Sequence, residues 1–168
     1  MSVIVNFSYG SNMLARRIAQ RVPSARPVQR AVLQGYELRW HKVGQDGSGK
    51  CDIVRSERPG SVVHGVLYQF ARDEKHLLDA AEGLGRGYDE RQVSVEGDSG
   101  IVHAWAYVAT ATDPQRLPFN WYRALVVAGA MEHGLPAPYV QSLRATPAVD
   151  DADVGRARLH FALAGRHA

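Results

Sequence analysis

The sequence predicts an α+β fold in which a small mixed β-barrel carries flanking helices. Six or so short segments have the β-branched and aromatic content of strands, and two or three segments between them have helical spacing. The segment 61–70 has apolar residues on both parities, which indicates burial on both of its sides, as in a small barrel. Helices interleaved with such strands favour an α+β arrangement.

The first half of the chain begins with a buried strand over residues 3–8. A helix is expected over 13–21, with Asn12 as its cap and Pro23 as its stop. A single strand is expected over 31–40, and the glycine- and serine-rich segment that follows it is typical of a turn or a mobile loop. Further strands are predicted over 51–54 and 61–70.

The second half begins with a helix that starts at Asp73 and ends at Gly83, Gly85 and Gly87. Strands over 91–96 and 100–109 flank a short turn and predict a β-hairpin. Asn120 is expected to cap the clearest helix, which runs to about His133. A short last helix over 138–144 follows it.

Length and composition predict one domain over residues 1–168, in which 146–168 is a less certain tail. The net charge of +3 comes from scattered basic residues, and without a dense basic run no nucleic-acid partner is expected. No apolar run is long enough for a membrane span, and no secretory signal is visible. With its single cysteine, Cys51, the chain is expected in the cytoplasm, and a homodimer is left open.

The turn formed by Tyr9, Gly10, Ser11, Asn12 and Met13 is the first candidate binding site. It follows an apolar strand and precedes a helical segment, so its backbone N–H groups are expected to be free. Free amides and a helix dipole both favour an anion, which indicates a carboxylate or phosphate ligand. A purely structural turn would have the same sequence.

Glu82 is the candidate acid or base. It lies four residues after Leu78, near the apolar face of its helix, and in the last turn, where the helix dipole is negative. Burial and the dipole both disfavour the charged carboxylate, which suits a group that exchanges protons near neutral pH. A solvated glutamate at a frayed helix end is the alternative. Tyr88 and Tyr122 are candidate hydrogen-bond donors to a ligand, or else packed rings.

Other chemistries lack the residues that they require. The histidines are dispersed and no Cys-x-x-Cys pair exists, so no metal is expected. Cys51 has no neighbouring sequence signal of activation and is interpreted as a small core residue. No phosphate-binding loop or dinucleotide fingerprint is present, and no cofactor is expected.

Several segments together resemble the γ-glutamylcyclotransferase family, which includes the AIG2-like proteins. They occur in the order of that family and cover roughly residues 3 to 145. The matching segments are residues 7–13 (FSYGSNM), 21–25 (RVPSA), 63–68 (VHGVLY), 78–83 (LDAAEG) with Gly87 and Tyr88, Trp121 with Tyr122, and 129–136 (GAMEHGLP).

The resemblance implies a small β-barrel enzyme that cyclises a γ-glutamyl amide to 5-oxoproline and a free amine, with an expected link to glutathione metabolism. Glu82 would accept the proton, and Tyr88 and Tyr122 would contact the substrate. The glutamyl group would be held by Phe7, Ser8, Tyr9, Gly10, Ser11 and Asn12. Two alternatives stay open: the same chemistry could remove a γ-glutamyl protecting group from a specialised metabolite, or the chain could bind γ-glutamyl compounds without catalysis.

Overall fold

The computed structural model describes residues 2–165, and seven β-strands and five α-helices lie in this part of the chain. The strands are β1 (Val3–Ser8), β2 (Arg26–Gln34), β3 (Tyr36–Val43), β4 (Gly49–Arg55), β5 (Val62–Ala71), β6 (Tyr88–Gly97) and β7 (Gly100–Ala109). The helices are α1 (Ala15–Arg21), α2 (Lys75–Glu82), α3 (Asn120–Glu132), α4 (Ala137–Arg144) and α5 (Val154–Ala164).

Five of the strands form a closed barrel in the order β1-β5-β2-β6-β7. Neighbours along this order pair antiparallel, and the barrel closes through a parallel pair between Asn6 of β1 and Trp105 of β7. The predicted α+β fold with a mixed barrel is therefore confirmed. Strands β3 and β4 form a separate two-stranded sheet.

The predicted strands over 3–8 and 61–70 match β1 and β5 closely. The hairpin is confirmed as well, because Gly97 of β6 pairs with Gly100 of β7 across a two-residue loop. The single strand expected over 31–40 is wrong. Gly35 has a φ of +74°, which breaks the segment into the end of β2 and the start of β3.

Both predicted asparagine caps are wrong. A 3-10 turn at Ser11–Met13 precedes α1, whose N-cap is Leu14, and the side chain of Asn12 contacts the side chain of Glu82 instead of the first backbone amides of the helix. Asn120 is the first residue of α3, and its side chain hydrogen-bonds to Asp150. In each case a partner distant in sequence competes with the local backbone for the amide.

The expectation that the helix over 138–144 is the last one is also wrong. Helix α5 follows it, and it packs against α3. The carboxylate of Asp151 anchors this region, because it accepts hydrogen bonds from the indole Nε1 of Trp121 and from the guanidinium of Arg156. No helix within residues 2–165 is long and apolar enough to cross a membrane.

Helix α3 is the most deeply buried helix and supports the turn after β1. Nine of its thirteen residues are buried. A Cβ placed on Gly129 would lie 2.6 Å from the backbone N of Leu14 and 2.7 Å from the Cβ of Met13. The absence of a side chain at position 129 therefore lets α3 lie directly against the 3-10 turn, which sets the position of that turn at the mouth of the barrel.

Candidate active site

A cavity lies where β1 leaves the barrel and the 3-10 turn begins. It holds about 350 Å³ of empty space, including its mouth. The second sheet reaches it through Cys51 of β4, and helices α2 and α3 reach it through Glu82 and Tyr122. The lining consists of Asn6, Phe7, Ser8, Tyr9, Gly10, Ser11, Asn12, Cys51, Glu82, Tyr88, Tyr107 and Tyr122.

The turn at this cavity presents unpaired backbone amides. Within residues 2–165, no group accepts a hydrogen bond from the N–H of Gly10, Ser11 or Asn12. A Cβ on Gly10 would lie 3.1 Å from the Cβ of Cys51 and 3.2 Å from the hydroxyl of Tyr122. A larger residue at position 10 would therefore crowd the cavity, and the bare backbone leaves room for an anion to reach the amides.

Glu82 is the last residue of α2, and its side chain is only 14% exposed. Its Oε1 accepts hydrogen bonds from Nδ2 of Asn12 at 2.7 Å and from Nη1 of Arg21 at 2.6 Å. Arg21 also donates to Oδ1 of Asn12 at 2.9 Å, so the three side chains form a closed triangle. The triangle orients the carboxylate, and Oε2 has no hydrogen-bond partner among the described residues. Glu82 is thus not a solvated glutamate at a frayed helix end.

Two tyrosines hold the backbone of Cys51 at the opposite wall. The N–H of Cys51 donates to the hydroxyl of Tyr122 at 3.0 Å, and the hydroxyl of Tyr88 donates to the Cys51 carbonyl at 2.6 Å. The hydroxyl proton of Tyr88 is therefore engaged in this structure, and donation from Tyr88 to a ligand stays a prediction. Burial raises the pKa of Tyr122 well above its ordinary value, so its hydroxyl keeps a proton that it can donate to a ligand.

Arg21, Asn6 and Tyr107 were missed by the sequence reasoning. Arg21 lies at the end of α1 and reaches Glu82 only because α1 and α2 are neighbours in the fold. Asn6 is 2% exposed and donates to the carbonyl of Trp105 at the barrel closure. Tyr107 was within a predicted strand, but nothing in the local pattern distinguishes it from other aromatic strand residues.

All nine residues predicted for the site line this one cavity: Phe7, Ser8, Tyr9, Gly10, Ser11, Asn12, Glu82, Tyr88 and Tyr122. The arrangement combines one carboxylate, a set of free amides and a protonated hydroxyl around one cavity. Such a set can move a proton and stabilise negative charge on a small molecule.

Known proteins resemble this chain over most of its length. Residues 62–143 match the AIG2-like family. The human gamma-glutamylcyclotransferase is 32% identical over 145 residues, which cover 83% of this chain and 76% of that protein. The mouse gamma-glutamylcyclotransferase is 32% identical over 152 residues, with the same coverage. A solved structure of a gamma-glutamyl cyclotransferase superposes with a TM-score of 0.83 at 30% identity, covering 90% of this chain and 92% of that one.

Proposed function

Because the chain belongs to the γ-glutamylcyclotransferase family and is an enzyme of that type, we propose that it cyclises a γ-glutamyl amide with Glu82 as general base and acid. The products are 5-oxoproline and a free amine. The observation that carries this proposal is the meeting of Glu82 with the free amides of Gly10, Ser11 and Asn12 in one cavity.

The reaction needs no group that the cavity lacks. The α-amine of the substrate attacks its own γ-carbonyl carbon, so that a ring C–N bond forms and the original amide C–N bond breaks. The proton lost by the attacking amine goes to a carboxylate and is then given to the departing amine nitrogen. Both reactants belong to one molecule, so the main task of the enzyme is to hold the substrate folded back on itself.

Glu82 has the surroundings that this role requires. Its Oε1 is fixed by hydrogen bonds from Asn12 and Arg21, which hold the carboxylate in one orientation at the cavity. Oε2 is then the oxygen that exchanges the proton with the substrate. Arg21 and Asn12 are positioning residues in this proposal, because they act through Glu82.

The remaining groups of the cavity suit the glutamyl part of the substrate. The amides of Gly10, Ser11 and Asn12 would take the α-carboxylate or the developing oxyanion. The hydroxyl of Tyr122 would donate its remaining proton to a substrate oxygen. Phe7, Ser8 and Tyr9 line the same cavity from β1 and the residue after it, as does Tyr88. Tyr88 would contact the substrate as part of the cavity wall.

Release of 5-oxoproline from a γ-glutamyl amino acid tests the proposal. Glu82→Gln keeps the shape of the side chain and removes its basicity, so we expect the rate to fall by about 10²–10⁴-fold. Glu57→Gln, at an exposed position outside the cavity, is the matched control and should keep the parent rate. Equal melting temperatures would show that both variants fold.

Two results would contradict the proposal. If Glu82→Gln releases 5-oxoproline as fast as the parent, Glu82 is not the base. If the parent binds γ-glutamyl compounds without releasing 5-oxoproline, the chain is a binding module. Isothermal titration beside the rate assay separates these outcomes.

A further inference from the structure

A wide groove extends from the cavity to the protein surface. It holds about 1460 Å³ of empty space, including open solvent, and it shares Ser11, Glu82, Tyr88 and Tyr122 with the cavity. We call it the outer groove. Six basic residues line it, and only two acidic ones do: Arg17, Arg21, Lys42, Lys50, Arg86 and Arg156 against Asp46 and Glu82.

Three of these cations have carboxylate partners. Arg21 pairs with Glu82 at 2.6 Å, and Lys50 pairs with Asp46 at 2.8 Å. Arg156 pairs with Asp151. The other three, Arg17, Lys42 and Arg86, have no salt bridge to a carboxylate within residues 2–165. The outer groove therefore carries uncompensated positive charge.

Arg17 is buried although it is an arginine, since it is only 9% exposed. Its Nε donates to Oγ of Ser11 at 2.9 Å, which orients the guanidinium beside the turn of the cavity. Its Nη1 lies 3.5 Å from Nδ1 of His160. Burial, with the nearby charge of Arg21, lowers the pKa of Arg17 to about 10. Its charge is thus present at neutral pH but costly without an anion beside it.

Lys42 of β3 repeats this pattern in the same groove. It is 7% exposed, and its Nζ lies 4.5 Å from the ring centroid of Tyr88, which lines both the cavity and the outer groove. None of the hydrogen bonds within residues 2–165 involves its ammonium group. Burial lowers its pKa. Two buried cations on different elements, α1 and β3, therefore border one groove without an anionic partner.

We propose that the amine released by this enzyme carries at least two negative charges, which Arg17 and Lys42 bind in the outer groove. The inference rests on the proposed function, because it concerns the leaving group of that reaction. If the glutamyl group binds at the free amides, as the proposed function requires, the rest of the substrate extends past Glu82 into the groove, because Glu82 lines both spaces. The single carboxylate of a simple amino acid could pair with only one of Arg17 and Lys42. A dicarboxylic or phosphorylated amine carries enough negative charge to pair with both.

Four substrates that differ in the negative charge of the leaving amine test the inference. They are the γ-glutamyl amides of ethylamine, alanine, aspartate and phosphoethanolamine, whose leaving amines carry no acidic group, one carboxylate, two carboxylates and a phosphate. We expect kcat/KM for the amide of aspartate or of phosphoethanolamine to exceed that for the amide of alanine by about tenfold or more. This is the effect expected of one additional charge-assisted hydrogen bond. The better of the two identifies carboxylate or phosphate as the preferred anion. The advantage should shrink as salt is added.

Two variants test whether Arg17 and Lys42 bind the leaving amine. Arg17→Gln and Lys42→Met keep much of each side chain and remove its charge, and each should lower the ratio of the dianionic to the neutral substrate by about tenfold. Arg91→Gln removes the same charge from an exposed site on β6 outside the groove, and it should keep the parent ratio. Melting temperatures establish that each variant is folded.

Each contrary outcome identifies the step that fails. Equal kcat/KM for all four substrates would overturn the inference and leave the proposed function intact. If no amide releases 5-oxoproline, the proposed function fails and the inference fails with it. If Arg17→Gln lowers kcat/KM equally for all four substrates, Arg17 holds the glutamyl carboxylate, and its assignment to the leaving group is wrong.

Discussion

Replacement of Gly129 by alanine should destabilise the protein, although the same change stabilises most helices. Alanine in place of glycine inside a helix normally gains about 1 kcal/mol. Here the new Cβ would lie 2.6 Å from the backbone N of Leu14 and 2.7 Å from the Cβ of Met13. Ordinary carbon contacts are about 3.5–4.0 Å, so the 3-10 turn would have to move by about 1 Å.

The size of the effect follows from these two opposing terms. Overpacking a well-packed core costs about 1–3 kcal/mol, and the upper part of that range applies because backbone atoms cannot rotate away. After the gain in helix propensity, the free energy of unfolding should fall by about 1–2 kcal/mol. For a domain of this size that lowers the melting temperature by about 2–8 °C. Thermal unfolding followed by circular dichroism measures it.

The site should respond as well, because the turn that Gly129 supports carries Asn12, which contacts Glu82. A displacement of about 1 Å in a positioning group can cost as much as 10²-fold in rate. Gly155→Ala is the matched control, since its Cβ would meet only Oδ1 of Asp153 at 3.5 Å, an ordinary contact. It should leave the rate unchanged and raise the stability slightly. A melting temperature of Gly129→Ala at or above that of the parent would refute the reasoning.

Two further predictions concern groups with displaced pKa values. Burial raises the pKa of the Cys51 thiol to about 12, so iodoacetamide at about pH 8 should modify it only after unfolding in urea; rapid modification of the folded protein, seen by mass spectrometry, would contradict this. The guanidinium of Arg156 holds the pKa of Asp151 well below its usual range. The charged carboxylate therefore stabilises the folded protein fully above a pH of about 4, where Asp151 would also be charged in the unfolded chain. This stabilisation is lost as the pH falls toward the lowered pKa of the folded protein. Asp151→Asn should therefore lower the melting temperature at pH 7, and the difference from the parent should narrow at about pH 2. Equal melting temperatures at pH 7 would show that the contact contributes no stability.

Much of the barrel was predictable from short-range pattern. The apolar run of β1, the double-sided apolar character of β5 and the turn between β6 and β7 each lie within a few neighbouring residues. Helix α5 was not predictable in this way, because several of its apolar residues, such as Val154 and Leu159, face solvent. The region is held by hydrogen bonds from Trp121 and Arg156 to Asp151. Such polar contacts leave no periodic pattern of apolar residues in the sequence.

The asparagine caps show why local rules fail at the site. Asn12 has the residue type and position of a helix cap, yet its amide contacts Glu82, seventy residues away in sequence. A side-chain amide bonds to whichever donor or acceptor the folded chain brings nearest, and local sequence holds no information about a partner on another element. The same holds for Arg21, whose importance depends wholly on α2 lying beside α1.

The sequence alone indicated both parts of the candidate site. A strand followed by Gly10, Ser11 and Asn12 predicts free amides, and Glu82 at a helix end predicts a proton-exchanging group. These are properties of a residue and its near neighbours along the chain. Folding added the uncompensated charges of Arg17 and Lys42. Whether a cation has a partner depends on distances in space, and those exist only when α1, β3 and the turn after β1 are packed around one opening.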